Sequence, residues 1–277
     1  MIIDTHTHFY DPTRLAGVPW PPPDDAFLYR RIMPDVYKKV SVPEGVTGTI
    51  VVEASAWLED NQWILDMADA DPFIIGLVGH LEPARPKFEV TLDRFSAHPR
   101  FYGIRLGQVP VDDIDYENAM AQLMAHNLEL DLLIGAEWLA NTAIWAERYA
   151  DLRIVLNHVA HVKITGGQPD VEWLAGIQRA AACPNVFCKV SGLVELAETS
   201  PAPEDPAYYA PTLDALWHAF GEDRLVYGSN WPVSWRYAEY AHVQQLATAY
   251  FERKGIEVLE KVMWKNSQAA YGWELKS

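Results

Sequence analysis

The chain has 277 residues, 49% of them hydrophobic, and carries a formal net charge of −16. That length and composition suit one globular domain, 1–277, with a sizeable core. The negative charge excludes a phosphate backbone or an anionic membrane as partner, because both would repel it. Apolar runs such as Phe73–Val78 stop far short of a membrane span. No basic, then apolar, leader opens the sequence, and the two cysteines, Cys183 and Cys188, are too few for a disulfide framework. Both are expected reduced and packed, in a cytoplasmic protein.

The first strand is expected at Ile2–Thr5, running into His6 and His8. A strand's period of two puts those two imidazoles on one face, where they suit a divalent metal or a carbonyl to be polarised. Seven further apolar runs follow, at Thr47–Glu53, Ile74–His80, Phe101–Leu106, Glu129–Gly135, Arg153–His158, Val186–Ser191 and Leu225–Ser229. Between them lie helical patterns at Asn61–Asp69, Lys87–His98, Tyr116–Asn127, Thr142–Tyr149, Val171–Cys183, Tyr209–Phe220 and Tyr240–Lys254, with apolar residues three and four apart. Asp60, Asp115, Asn141 and Asp170 stand where N-caps belong. Near-continuous apolar strands alternating with helices mean parallel strands covered by helices. Eight such units fit an α/β fold of the closed (β/α)8 TIM-barrel type better than an open sheet, and no Gly-x-Gly-x-x-Gly follows the first strand.

Three loops are longer than the fold requires: Asp11–Asp35, rich in proline, His161–Pro169, and Leu193–Pro211. All leave strand C-terminal ends, where barrel enzymes build their pockets, and together they read as a partial lid. The residues expected at that mouth are His6, His8, Glu53, His80, Arg105, Glu137, His158, Lys189, Ser191 and Asn230. Alternation points His158 inward and His161 away. Glu53 has a scaffolding alternative, pairing with Lys189 or Arg105. Trp57, Trp138 and Trp231 follow strand ends, as flat faces for a sugar ring or as core-edge packing.

With Asp4-Thr5-His6-Thr7-His8-Phe9 at one end and Tyr227-Gly228-Ser229-Asn230-Trp231-Pro232 near the other, the chain resembles the amidohydrolase-related family. The branch is the one that holds sugar-lactone and pyrone-dicarboxylate lactonases. Gly103-Ile104-Arg105, Val155-Leu156-Asn157-His158 and Cys188-Lys189-Val190-Ser191-Gly192 support the likeness. It implies a TIM barrel that hydrolyses a small cyclic ester, a sugar or carboxylated lactone. His6, His8 and His158 would polarise the carbonyl, directly or through Zn²⁺, and Arg105, Lys189 and Ser191 would hold a small-molecule substrate.

The chain departs from the family at Asn230, where an aspartate normally takes a proton from the attacking water, and at Asn157. Glu53 becomes the substitute base. The amides also lower the negative charge at the mouth, which weakens a divalent cation and favours an anionic ligand. A decarboxylase or other lyase on the same barrel and a catalytically silent binding protein are the alternatives, and homo-oligomerisation is left open.

Overall fold

The computed structural model describes residues 1–275. Eight parallel strands follow one another round a single sheet in the order β1 to β8: Ile2–Thr7, Val46–Val52, Ile74–Gly79, Phe101–Leu106, Glu129–Leu132, Ile154–Leu156, Val186–Val190 and Leu225–Tyr227. The ring closes just beyond β8, where Thr7 bridges Trp231, Asn230 N–H donates to His6 O (2.9 Å) and His8 N–H donates to Trp231 O (2.9 Å). Closure therefore takes place at the strands' C-terminal end, through the residues singled out by sequence. The expected (β/α)8 barrel is the observed one.

Helices α2 (Leu58–Ala70), α3 (Phe88–Ser96), α4 (Ile114–Ala125), α5 (Ala136–Arg148), α6 (Val171–Ala181), α7 (Ala210–Phe220) and α8 (Tyr240–Glu252) cover the strands. An additional α1 (Pro34–Ser41) follows the loop expected at Asp11–Asp35, in a stretch before β2 to which no element was assigned, and is started by Pro34 at its first turn. Of the four expected caps, Asp170 alone is one, accepting from Glu172 N and Trp173 N. Asp60 and Asn141 lie inside α2 and α5, and Asp113 caps α4 in place of Asp115. Each of these helices began earlier than its apolar periodicity did.

Two cores result. One lies between strands and helices, and the other fills the barrel with Ile3, Ile50, Val52, Val78, Val155, Phe187 and Val226. Beyond α9 (Ile256–Glu260), the last helix α10 (Asn266–Tyr271) brings Tyr271 and Trp273 into this inner core. Cys183 and Cys188 are buried and unpaired. No helix among the described residues is long and apolar enough to cross a membrane.

Candidate active site

The inner core turns polar as it rises toward the mouth. Its first polar layer is Lys189 from β7, fully buried, with Asp131 from β5. The ammonium has three N–H bonds and three acceptors: Asp131 Oδ2 at 2.8 Å, Thr5 O at 3.1 Å and His6 Nδ1 at 3.3 Å. Burial pulls the Lys189 ammonium down from its ordinary range, and Asp131 opposes that shift. Lys189 thus does not reach the ligand space it was expected to line. It holds His6: a ring nitrogen that accepts from an ammonium leaves the other, Nε2, to carry the proton. That Nε2 is buried and has no partner.

His158 is oriented by Ser191. The backbone N–H of His158 donates to Ser191 Oγ (3.3 Å), so the hydroxyl hydrogen is free to donate to His158 Nδ1 at 2.8 Å. This assignment again puts the ring proton on Nε2. The His6 and His158 rings lie 4.3 Å apart, centre to centre. His8 has the other tautomer, because its Nδ1 stands 2.9 Å from Val52 O and a carbonyl can only accept. Its Nε2 therefore shows a lone pair. Burial, aided by Arg105, pulls His8 down to about 3. Burial, then His158 and Lys189, push His6 well below the ordinary imidazole range. Burial, then His161 and Arg105, do the same to His158. All three are neutral at physiological pH.

Above them opens a cavity of 450 Å³, within the usual range for a small-molecule site. His8, Glu53, Arg105, His158 and Asn230 line it as expected. Arg105 is clamped by Glu53, Nε to Oε1 at 2.9 Å and Nη2 to the backbone O at 2.7 Å, so Glu53 follows the scaffolding alternative named for it. Its carboxylate is engaged by a guanidinium, which corrects its casting as the base. Asn230 sits where the closure of the ring predicts, its Oδ1 3.3 Å from His8 Nε2.

The aromatic wall differs from expectation. Trp231 is fully buried against Tyr37, Phe9 and Trp235, Trp57 is exposed beside α2, and Trp138 packs against the outer core from α5. None of the three lines the cavity. Trp20, from the proline-rich loop after β1, and Tyr237, from the segment after β8, do so instead. The loop is anchored by Arg14, which pairs with Asp60 at 2.9 Å and lies over Trp63, and this leaves the Trp20 ring 6.0 Å from that of His8.

His161 also lines the cavity, although alternation turned it away. The strand ends at Leu156, and His158, Val159, Ala160 and His161 all have φ between 47° and 52°, one turn of left-handed backbone. Such a turn costs roughly 1–2 kcal/mol per non-glycine residue, and a β-branched residue like Val159 is rarely found there. The bonds from Ala160 N to Asn157 O (2.9 Å) and from Trp173 Nε1 to Val159 O (3.0 Å) hold it. The result is that His158 and His161 stack at 5.6 Å on the cavity side. His80 belongs to a different surface hollow with Glu82 and Arg85, and Asn157 turns back on Val155 O at 3.3 Å.

The residue that sequence reasoning missed is Glu195. It follows Gly192, whose φ of +69° lets the chain turn so tightly against His158 that a Cβ there would stand 2.9 Å from the His158 Cβ. Glu195 Oε1 accepts from Asn230 Nδ2 at 2.7 Å, and Oε2 is buried with no partner. Part of the residue is open to solvent, but its carboxyl is enclosed, and burial pushes the group up to about 7.

The zinc expected on His6, His8 and His158 does not fit this donor arrangement. A metal needs a lone pair from each ring, and the Lys189 ammonium, which can only donate, takes that of His6 at Nδ1. Among the described residues no three His, Cys, Asp or Glu side chains are arranged to hold an ion.

The amidohydrolase family model matches residues 3–273. An L-fucono-1,5-lactonase of Burkholderia ambifaria is 33% identical to this chain, covering 84% of it and 80% of that protein. A second L-fucono-1,5-lactonase, from Burkholderia multivorans, is 26% identical and covers 96% and 94%. The crystal structure of an amidohydrolase from Burkholderia multivorans with bound zinc superposes with a TM-score of 0.86, at 26% identity, over 99% of this chain and 100% of that one.

Proposed function

The chain belongs to the amidohydrolase family, and from that premise we propose that it hydrolyses a small cyclic ester, a neutral sugar lactone in the first instance. The observation that carries this reading is the pair of buried imidazoles, His6 met at Nδ1 by Lys189 and His158 at Nδ1 by Ser191, which turns both Nε2 atoms away from these partners, under a cavity that also presents Arg105. Neutral N–H donors fixed in a water-poor site stabilise an oxyanion without having to reorganise as it forms. His158 is the donor on the cavity surface, and His6 backs it from beneath. Arg105 retains Nη1 for a substrate oxygen, its other nitrogens being held by Glu53. That carboxylate compensates the one guanidinium in the wall, which favours a hydroxylated neutral ring over a dicarboxylate. Trp20 and Tyr237 supply the flat apolar faces against which a sugar ring packs. The relatives' names as L-fucono-1,5-lactonases point the same way.

Water attacks the carbonyl carbon, and the carbonyl electrons move onto the oxygen facing His158. Collapse of the tetrahedral adduct then breaks the ring C–O bond and gives the open hydroxy acid. The family usually binds a divalent metal, and one solved relative holds zinc. In this chain the steps rest on its own side chains. The same reading puts the enzyme in the cytoplasm, supported by two unpaired cysteines.

A panel of aldonolactones and pyrone-dicarboxylate followed with a pH indicator tests the proposal. Turnover of neutral lactones ahead of the dicarboxylate is expected, at a rate indifferent to a chelator. No turnover of any lactone, with or without zinc, would end it. A companion variant tests what the eighth-strand amide contributes. Asn230→Asp puts an anionic oxygen beside the His8 lone pair and should retain more zinc than the wild type in elemental analysis after dialysis against dilute zinc. Equal zinc in both proteins would mean that the eighth-strand amide is not what weakens the site.

A further inference from the structure

We infer that Glu195 is the general acid–base of this site and that the Asn230 amide is its hydrogen-bond partner in both protonation states, donating to the carboxylate and accepting from the acid; the inference rests on the ester-hydrolase reading above. Three observations converge on it. Glu195 lines the cavity, its Oε2 is buried and unpartnered, and its Oε1 is held by Asn230 at 2.7 Å. A buried carboxyl oxygen without a partner is costly in a native fold, and the cavity it shares offers it water or substrate. Glu53, the other carboxylate in the wall, is occupied by Arg105.

The bookkeeping of protons explains why an amide stands on the eighth strand. His8 must carry its hydrogen on Nδ1 to satisfy Val52 O, so its Nε2 presents a lone pair to Asn230. Asn230 Oδ1, 3.3 Å away, presents another, and two acceptors do not bond. Turning the amide over resolves the clash: Nδ2 then donates to His8 Nε2, and Oδ1 accepts from a protonated Glu195. The opposite orientation, with Nδ2 toward Glu195, suits the carboxylate. An aspartate at this position could donate to neither neighbour as an anion. The amide serves both states of Glu195, and its turned-over orientation, the one that pairs with the protonated acid, also satisfies neutral His8.

In the reaction, the Glu195 carboxylate takes a proton from the attacking water as the new C–O bond forms and the carbonyl pair moves onto oxygen. As the ring C–O bond breaks, the same proton passes to the departing ring oxygen, which leaves as a hydroxyl. The product acid then loses its own proton to solvent, and Glu195 ends as it began.

The groups around the carboxyl leave burial as the main influence upon it. Tyr209, just before α7, spends its hydroxyl on Pro203 O at 2.8 Å. His158 and His161 from the left-handed turn are shifted downward and neutral, as is His8 behind the amide. Arg105 lies in the same cavity wall but is paired with Glu53.

The test combines kinetics with a direct titration. In the wild type kcat should rise with pH through a limb near the Glu195 value of about 7. Glu195→Gln should lower kcat by roughly 10²–10⁴-fold and remove that limb, with little change in KM. Glu195→Asp, which keeps the carboxyl, should keep a limb and part of the rate, and circular dichroism establishes that both variants fold. Carbon-13 NMR of labelled glutamate should show a carboxyl titrating near neutrality in the ligand-free wild type, absent from Glu195→Gln. Lactone turnover with an unchanged pH profile in Glu195→Gln, or no carboxyl titrating near neutrality, would overturn the assignment and leave the ester-hydrolase reading standing. Absence of turnover on every lactone would overturn both.

Discussion

Lys189→Met is expected to cost about 3–5 kcal/mol of folding stability, the usual penalty for removing one partner of a buried ion pair, and to abolish turnover. Methionine fills most of the lysine's volume, so the loss is electrostatic more than steric. Asp131 would be left buried without its cation, beside Glu129, whose carboxyl burial and Asp131 already push well above the ordinary range. Tyr271, donating to Asp131 Oδ1 at 3.2 Å, cannot replace a charge. His6 would lose the donor that fixes its tautomer, and with it the proton on Nε2. Urea denaturation and lactone turnover measure the two effects, and Lys189→Met/Asp131→Leu separates them. An apolar pair of similar volume should recover most of the stability while leaving activity low, because His6 stays unheld. A single variant as stable as the wild type would show that Lys189 and Asp131 are not an ion pair in the fold.

The same lysine shows what a sequence conveys about such a site. His6, His8, Arg105, His158, Lys189 and Asn230 could be gathered in advance because each ends or nearly ends a strand, and a barrel brings all strand ends to one mouth. Depth along that axis was not legible. Lys189 and Ser191 lie one alternation apart on β7 and its end, and both are buried positioning groups, for His6 and His158, where substrate contacts were expected. The aromatic rim failed for a related reason. Trp231 follows β8 so closely that closure of the ring draws it into the core, whereas Trp20 lies in a proline-rich loop whose course is set by Arg14, Asp60 and Trp63.

Glu195 and His161 were out of reach for another reason. Both lie past their strands, where the period of two no longer applies, and His161 is turned inward by backbone that non-glycine residues rarely adopt. A signal for Glu195 did exist. It is a lone acid within Leu193-Val194-Glu195-Leu196-Ala197, and a charge set in an apolar loop is more informative than one on a polar surface. Asn230 drew attention as a missing carboxylate. The structure supplies that carboxyl from the neighbouring loop, 2.7 Å from the amide, which removes the main support for a catalytically silent binding protein.

Glu195→Gln should also change how stability depends on pH, whether or not any substrate is present. The carboxyl is raised from its ordinary value of 4.5 to about 7 in the fold, so the native state binds this proton more tightly than the unfolded chain does. Stability from the protonated group is therefore fully present below about pH 4.5 and is lost as pH rises toward and through about 7. A shift of that size corresponds to about 3 kcal/mol. Glutamine cannot ionise and avoids the loss, although it offers Asn230 an amide in place of an acid. The variant's stability relative to the wild type should accordingly rise by about 3 kcal/mol between acidic and mildly alkaline pH. The comparison must be a difference between the two proteins. His6, His8 and His158 are all pulled downward by burial, so their contribution is lost as pH falls and runs against that of Glu195 in either protein alone. They are common to both and cancel in the difference. Urea midpoints for the two proteins across this window settle the matter: a widening gap places an enclosed carboxyl at Glu195, and parallel curves would mean that its oxygens reach water freely.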